Sequence, residues 1–434
     1  MADSLCATYE VVYRPADEEI HIKGDVWILG RHYNLPQDKQ ALESHVESLI
    51  WCTYRKNFRA IGGTGYTSDS GWGCTMRCGQ MVLAESLTRL HLGKDWKWTP
   101  GTRDRRYHSL LRCFLDKPDS IYALQQIAQF GVDFHRRIGE WFGPNNMCQV
   151  IKKLTRYDGW SNLVVHIAMD MTLIESEIYA LCEGKDTATG KRRSFQDGKG
   201  ESIATESPQA ATADGGASAR NEFKPLLLFI PLRLGLDTFE KKYSESVKAC
   251  FKVPQSVGII GGRPRNAYWF YGVQGGEGGK LFYLDPHTIQ VTVEPVNDQV
   301  PDETFHDTGP LHLMSMYELE PSMAVGFLCT SREELADLFI QLRENILGSG
   351  PGLFEIFATR PKNMPALPDM PDVPSADEEG WLLPVHYSPV YCSLVCETWC
   401  YLYGVGAPCI HVFPILLLSG VYVDVGPVFT SVGN

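Results

Sequence analysis

The chain has 434 residues, which is enough for one large domain or two modest ones with an ample core. Its net charge of -12 and pI near 5.5 argue against nucleic-acid binding, which requires a basic surface. Thirteen cysteines are irregularly spaced, and the acidic N-terminus leads us to expect no signal peptide and the reducing cytoplasm as the compartment.

Residues 1–24 are polar, acidic and without periodicity, and we predict a flexible N-terminal arm. Within it, Tyr9 and Val12 fit an aromatic-x-x-aliphatic pattern, which suits strand addition to the exposed sheet edge of a partner protein. Such short matches also arise by chance. Residues 25–29 predict a strand and residues 37–54 a helix, whose inward apolar positions are Leu42, Val46, Leu49 and Ile50.

Cys74 stands where a turn-forming cluster, residues 67–73, gives way to a helical pattern. The first amides of a helix are unpaired and its dipole favours negative charge, so a thiolate is stabilised at this position. The pattern makes Cys74 a candidate nucleophile, with a small buried cysteine as the alternative. Cys78 lies one turn further on, where it serves either redox control or packing; two cysteines without a nearby histidine do not make a zinc site.

A tryptophan-rich loop over residues 91–104 leads to a small inserted subdomain with helices near 107–115, 120–130 and 147–154. Residues 163–169 predict a buried strand that carries His166 as a core histidine. Residues 184–222 are too polar to form a core, and we predict a disordered insertion.

The second half of the chain predicts a series of strands. They are expected over residues 225–235, 267–273, 280–285, 325–329 and 353–358, the last of which would close the sheet. Between them we expect a helix over residues 238–250, a glycine-rich turn over 258–264, and a helix that begins with a capping box formed by Ser331 and Glu334.

Asp285 and His287 stand two apart at the end of the predicted strand 280–285. Residues two apart on a strand face the same way, so Asp285 is placed to orient the imidazole of His287. A nucleophilic thiolate requires a histidine of this kind as base and acid. Pro286 cannot donate to a ladder, which favours a strand end beside a cleft, although a surface turn would explain the tripeptide equally well.

Several motifs occur in order along the chain, over residues 51–58, 61–65, 67–80, 139–145, 166–170, 258–264 and 283–288. Together they resemble the autophagin family, the cysteine peptidases that process GABARAP-type ubiquitin-like modifiers in autophagy. The resemblance covers about residues 25–360. It implies an α+β (α/β) fold of papain-like type, in which a helix presents Cys74 against a sheet that presents His287.

The resemblance also implies roles for individual residues. The catalytic triad would be Cys74, His287 and Asp285, and the Tyr54 hydroxyl would form an oxyanion hole with the Cys74 amide. Trp141 would lie over the substrate's C-terminal glycine, and the arm would cover the exit of the site. The remaining substrate-binding residues implied are Gly261, Gly262 and Pro264 in a movable gate opposite Trp141, and Tyr9 and Val12 in the arm.

The implied activity is cleavage after the C-terminal glycine of the modifier, both in its free precursor and in its phosphatidylethanolamine conjugate. The partners would be that modifier and, transiently, autophagic membranes; we expect a monomer without metal or cofactor. A transglutaminase-like acyl transferase and a non-catalytic modifier-binding adaptor are the alternatives.

The tail, residues 361–434, departs from the family pattern. A proline-rich linker ends the peptidase domain, and Pro384 stands where the family has an aliphatic residue. Residues 398–423 carry no formal charge, but prolines and a histidine interrupt them and basic flanks are absent. An atypical chain end and a membrane span both remain open.

Overall fold

The computed structural model describes residues 22–185, 223–276, 278–297 and 299–364. Tyr9 and Val12 of the arm, nearly all of the predicted insertion, and the tail beyond residue 364 lie outside the described residues. Within the described part of the chain, no helix has the length and apolar character needed to cross a bilayer.

The described residues form eight α-helices and thirteen strands. The helices are α1 (Lys39–Glu47), α2 (Cys74–His91), α3 (Arg105–Arg112), α4 (Leu124–Gly131), α5 (Pro144–Leu154), α6 (Glu175–Cys182), α7 (Ser244–Lys252) and α8 (Arg332–Gln341). The strands are β1 (Gly24–Ile28), β2 (Arg31–Leu35), β3 (Tyr54–Lys56), β4 (Val164–Ile167), β5 (Thr172–Ile174), β6 (Leu226–Arg233), β7 (Ser256–Arg263), β8 (Asn266–Gln274), β9 (Lys280–Leu284), β10 (Ile289–Val291), β11 (His312–Ser315), β12 (Ser322–Cys329) and β13 (Glu355–Phe357).

A mixed sheet forms the centre of the molecule, in the strand order β11-β9-β8-β7-β12-β6-β4, with β1 pairing to β8 and to β2. All of its pairs are antiparallel except β4 with β6. Successive residues of β6 alternate between two apolar clusters, one on each face of the sheet. The α+β class predicted from the sequence is confirmed.

Helix α2 is deeply buried, and both the central sheet and several helices pack against it. Every residue from Cys74 to Thr88 is buried, because β7 and β8 cover one side and α3 to α5 cover the other. The helix is thus enclosed all round instead of along a single apolar stripe. Gly79 permits this, since a Cβ there would lie 2.3 Å from a side-chain carbon of Met147.

The predicted helix over residues 37–54 is wrong in its second half. Helix α1 ends at Glu47, and Tyr54 begins strand β3 instead. Leu49 and Ile50 are buried as expected, but they lie in the turn and irregular chain that follow α1. The reason is tertiary: β3 pairs in parallel with β10, a segment more than two hundred residues away, and this pairing overrides the local helical pattern.

Two expectations for the second half of the chain are also wrong. Residues 258–263 belong to strand β7 instead of a turn, because β8 and β12 pair with its two edges. The reversal comes at Pro264 and Arg265, where Arg265 has a φ of 71°. Strand β13 does not close the main sheet but pairs in parallel with β5 in a separate two-stranded sheet.

Candidate active site

A buried charge network fixes the loop that leads into α2. The Asp69 carboxylate accepts from the Arg55 amide at 2.7 Å and from the Arg77 guanidinium, through Nε at 2.8 Å and Nη2 at 3.0 Å. The Nη1 atom of Arg77 lies 2.9 Å from the Asp116 carboxylate. Residue 73 has to be glycine, because a Cβ there would lie 2.3 Å from an Asp69 oxygen. The start of α2 is therefore held in one place.

Cys74 is the first residue of α2, as predicted, and its side chain is buried. The Trp141 indole Nε1 donates to the Cys74 sulfur at 3.3 Å. Burial opposes ionisation of the thiol, but its interactions with His287, the Ala267 amide and Trp141 outweigh burial, and the pKa of Cys74 is lowered. The structure thus favours the thiolate at this position.

Asp285 and His287 form a pair, although not in the way predicted. Strand β9 ends at Leu284, so both residues lie in the turn that follows it, and they do not share a strand face. Asp285 Oδ1 accepts from the backbone amide of His287 at 2.9 Å and contacts its ring Nδ1 at 2.5 Å. This is an Asx turn closed by an imidazole, and it orients the ring through two bonds to one oxygen.

The imidazole of His287 is strongly basic. Burial alone would lower its pKa, but the hydrogen bond to Asp285 and the interaction with the Cys74 thiol raise it to about 9. The pKa of Asp285 is lowered: burial opposes this shift, and the interaction with His287 outweighs it. The Nε2 atom of His287 is buried and makes no hydrogen bond of regular geometry to any described residue. The lowered pKa of Cys74 and the raised pKa of His287 together favour an imidazolium paired with a thiolate.

The segment that contains Tyr54 is joined to the segment that contains His287. The Trp51 indole Nε1 donates to the Asp285 carbonyl at 2.7 Å, and the Tyr54 amide donates to the Pro286 carbonyl at 2.8 Å. Tyr54 then pairs with Ile289 as β3 meets β10. These two hydrogen bonds thus hold His287 and Tyr54 in a fixed position relative to each other.

Tyr54 lies against both reacting side chains. Its ring packs edge-on against His287, with centroids 5.4 Å apart. Burial, and after it the charge and hydrogen bond of Cys74, raise the pKa of the phenol, so it stays protonated and available as a donor. Tyr268 packs edge-on against His287 at 5.5 Å and forms a further wall.

The opening of the site is narrow. Trp141 is 39% exposed, and with Pro144, Gly261, Gly262 and Ala267 it lines a cavity of about 10 Å³, the space of roughly one water molecule. Gly261 and Gly262 thus form a wall of the cavity that Trp141 also lines. A Cβ at Gly262 would lie 2.0 Å from a backbone oxygen, so this wall tolerates no side chain there. Pro264 lies beyond them at the reversal and does not line the cavity.

Sequence reasoning assigned no role to Trp51, Asp69, Arg77 or Tyr268. The first three lie inside the motifs over residues 51–58 and 67–80, whose unusual composition indicated that these segments matter. No local pattern reveals the partners of the three residues. Tyr268 reads as an ordinary strand aromatic, and no sequence signal distinguishes it.

Two other candidate residues lie apart from this chemistry. Cys78 is fully buried, and burial raises its pKa well above the usual value, which favours the packing interpretation. His166 is half-buried, and burial lowers its pKa to about 4. Among the described residues there is no group of three metal-ligating side chains.

Comparison with known proteins gives a consistent result. The peptidase C54 catalytic domain matches residues 39–341. The chain is 43% identical to cysteine protease ATG4B of Gallus gallus over 382 residues, which cover 86% of this chain and 95% of that protein. It is 44% identical to cysteine protease ATG4B of Xenopus laevis, covering 81% and 89%, and 41% identical to cysteine protease ATG4A of Pongo abelii, covering 82% and 86%.

Proposed function

The chain belongs to the peptidase C54 family and is a cysteine-type peptidase of autophagy, and we propose that it cleaves after the C-terminal glycine of a ubiquitin-like modifier. The observation that carries this proposal is the thiol of Cys74 at a helix start, coupled to an imidazole that a carboxylate orients. We assign the catalytic roles to Cys74, His287, Asp285 and Tyr54.

The proposed reaction proceeds by acyl transfer. The Cys74 thiolate attacks the glycyl carbonyl, and the oxyanion accepts hydrogen bonds from the Tyr54 hydroxyl and the Cys74 amide at the start of α2. His287, charged in the resting pair, gives its proton to the leaving amine. It then removes a proton from water, which hydrolyses the thioester and releases the modifier with a free carboxylate.

The narrow opening supports glycine as the residue before the scissile bond. Trp141, which contacts the sulfur, lines a cavity of only about 10 Å³ together with Gly261 and Gly262, and a side chain at that substrate position would meet them. Trp141 donates to the sulfur that must attack, so substrate entry requires its indole to move aside. A glycyl backbone is the thinnest segment that can then take its place.

The same acyl chemistry acts on two forms of the substrate. In a precursor the leaving group is the amine of the following residue, and in a conjugate it is the amine of phosphatidylethanolamine. The proposed partner is a GABARAP-type modifier in both forms, met by a monomeric enzyme in the cytoplasm with transient membrane contact.

The test is to incubate the purified protein with a modifier precursor and to measure the mass of the product. We expect a product that ends in glycine, and none with Cys74→Ala. Cys78→Ala is the matched control, because it removes a buried sulfur one turn away and should leave turnover in place. Near wild-type turnover by Cys74→Ala would refute the assignment, and conjugates formed with added amine would favour an acyl transferase.

A further inference from the structure

A basic cavity lies outside the proposed catalytic site. It has a volume of about 610 Å³ and is lined by Arg103, Arg105 and Arg112 together with Ser109, Asn297 and Gln299. The chain as a whole carries a net charge of -12, so its average composition does not explain three arginines around one cavity. Such a cluster is a candidate binding site for an anionic group.

Two of these arginines, Arg103 and Arg105, lie at the N-terminal end of α3, where the helix dipole disfavours cations. Helix α3 begins at Arg105 and has no acidic residue in its first turn, where the helix dipole favours carboxylates and disfavours cations. Arg103 and Arg105 are exposed and make no ion pair with any described residue. The Asp104 carboxylate is already used, since it caps α3 by accepting from the Arg106 amide at 2.9 Å. Two guanidinium groups are thus available to an external anion.

The wall of the cavity is preformed. The buried ring of His108 contacts the Thr102 carbonyl through Nε2 at 2.8 Å, and its Nδ1 accepts from the Val300 amide at 3.2 Å. Val296 and Gln299 exchange two backbone hydrogen bonds, of 2.8 and 2.9 Å. The segment that carries Asn297 and Gln299 is therefore fixed against α3.

Exposed aliphatic side chains occur in the stretch of chain that leads to the lining residues Asn297 and Gln299. Val296, directly before Asn297, is 59% exposed, and Ile289 and Val291 on one face of β10 are 48% and 52% exposed. Exposed aliphatic side chains in the stretch of chain that leads to a basic cavity are what a surface for the interface of an anionic bilayer requires.

The position of this segment along the chain connects it to the chemistry. Strand β10 begins two residues after His287, the group that gives its proton to the leaving amine in the proposed reaction. When the leaving group is phosphatidylethanolamine, that amine belongs to the membrane surface. A bilayer contact next to the base would bring the enzyme to its lipid-linked substrate.

We propose that this part of the chain docks on a bilayer, with an anionic lipid headgroup in the basic cavity. The docking surface consists of Arg103, Arg105, Val296, Ile289 and Val291. The inference rests on the proposed function and deepens it. The enzyme would itself contact the bilayer while it releases the lipid-linked modifier.

Binding is measured by co-sedimentation of the full chain with vesicles, without any modifier. Vesicles of phosphatidylcholine and phosphatidylserine are compared with vesicles of phosphatidylcholine alone. Each arginine near an anionic surface contributes about a fivefold gain in binding, so the double variant Arg103→Ala, Arg105→Ala should bind about 30-fold more weakly. Val296→Ser should weaken binding about fourfold, the effect of withdrawing one methylene group from the interface.

The matched control is the double variant Lys241→Ala, Lys242→Ala. This variant also loses two positive charges, but from exposed lysines that do not line the cavity. Its binding to the vesicles should stay within about twofold of wild type. The proposal is overturned if wild type prefers neither vesicle, or if this control loses as much as the arginine variant. The proposal would also be overturned if inorganic phosphate released the protein from the vesicles while Val296→Ser had no effect on binding. That result would favour a site for soluble anions.

An activity measurement separates this inference from the proposed function. With the arginine variant, we expect cleavage of the soluble precursor at the wild-type rate and slower release of modifier from phosphatidylserine-containing vesicles. Equal rates on vesicles would refute the docking surface while leaving the peptidase assignment intact. Failure of wild type to cleave the soluble precursor would refute the proposed function, whatever the vesicle binding.

Discussion

Replacing Arg77 with Met removes a guanidinium that lies between two buried carboxylates. Arg77 is 2% exposed in its side chain, and its partners Asp69 and Asp116 are 0% and 5% exposed. Burial itself raises the pKa of Asp116, which shows how poorly this site tolerates negative charge. In the variant, both carboxylates would remain in the interior without a counter-charge.

Breaking a buried ion pair in this way costs about 3–5 kcal/mol, because the partner charge is left uncompensated. Total stabilities are about 5–15 kcal/mol, so the loss should be a large fraction of the free energy of unfolding. Urea unfolding followed by tryptophan fluorescence measures it as a lower midpoint at unchanged slope. Arg77→Lys should recover only part, since an ammonium cannot replace the two-pronged contact with Asp69.

The pH dependence gives an internal check. A buried carboxylate without a counter-charge prefers its neutral form, so the folded variant binds more protons than the unfolded chain. The stability of Arg77→Met should therefore rise relative to wild type as the pH falls from 7 towards about 5. Adding Asp116→Asn should restore part of the loss at neutral pH. A loss under about 1 kcal/mol, with neither pH dependence nor rescue, would refute the reasoning.

Three further predictions concern the catalytic groups. Asp285→Asn should lower kcat by about 10³–10⁴-fold. Without the carboxylate, the pKa of His287 falls from about 9 and the pKa of Cys74 rises, so the pH range of activity should narrow at both its acidic and its basic limit. An unchanged pH–rate profile would contradict the assignment. Tyr54→Phe should reduce kcat by about 10²–10³-fold with little change in KM, and a change confined to KM would exclude an oxyanion role. Trp51→Phe removes the donor to the Asp285 carbonyl, so kcat should fall about five- to tenfold at unchanged KM; equal kcat would show that the bond does not position the turn.

The start of α2 at Cys74 was predictable because its signals are local. A glycine-containing turn cluster followed by a helical apolar pattern marks the junction, and the structure begins the helix at that residue. The strands of the hairpin β8 and β9 were predictable for the same reason, since alternation and glycines are read within a few residues.

The pairing of Asp285 with His287 was predicted, but for a reason that the structure replaces. Strand periodicity suggested a shared face, whereas the strand stops at Leu284 and an Asx turn makes the contact. Both arrangements place a carboxylate two residues from a histidine, so spacing alone does not distinguish them.

What the sequence did not show depends on contacts between distant parts of the chain. Trp51 and Asp285 are 234 residues apart, and the pairing of β3 with β10 moves Tyr54 from a predicted helix into a strand. The ion pair of Arg77 with Asp116 likewise joins α2 to the bend that follows α3. No local pattern encodes such partners, so residues that position the base appear only in the folded chain.

The central claim is that Cys74 is held as a thiolate by His287. Its direct test is the rate of Cys74 alkylation by iodoacetamide as a function of pH, assigned by peptide mass, in wild type and in His287→Ala. We predict an apparent pKa for Cys74 below that of an ordinary thiol, about 8.5, and a clear rise in the His287→Ala variant. An ordinary thiol pKa that is the same in both proteins would contradict the account.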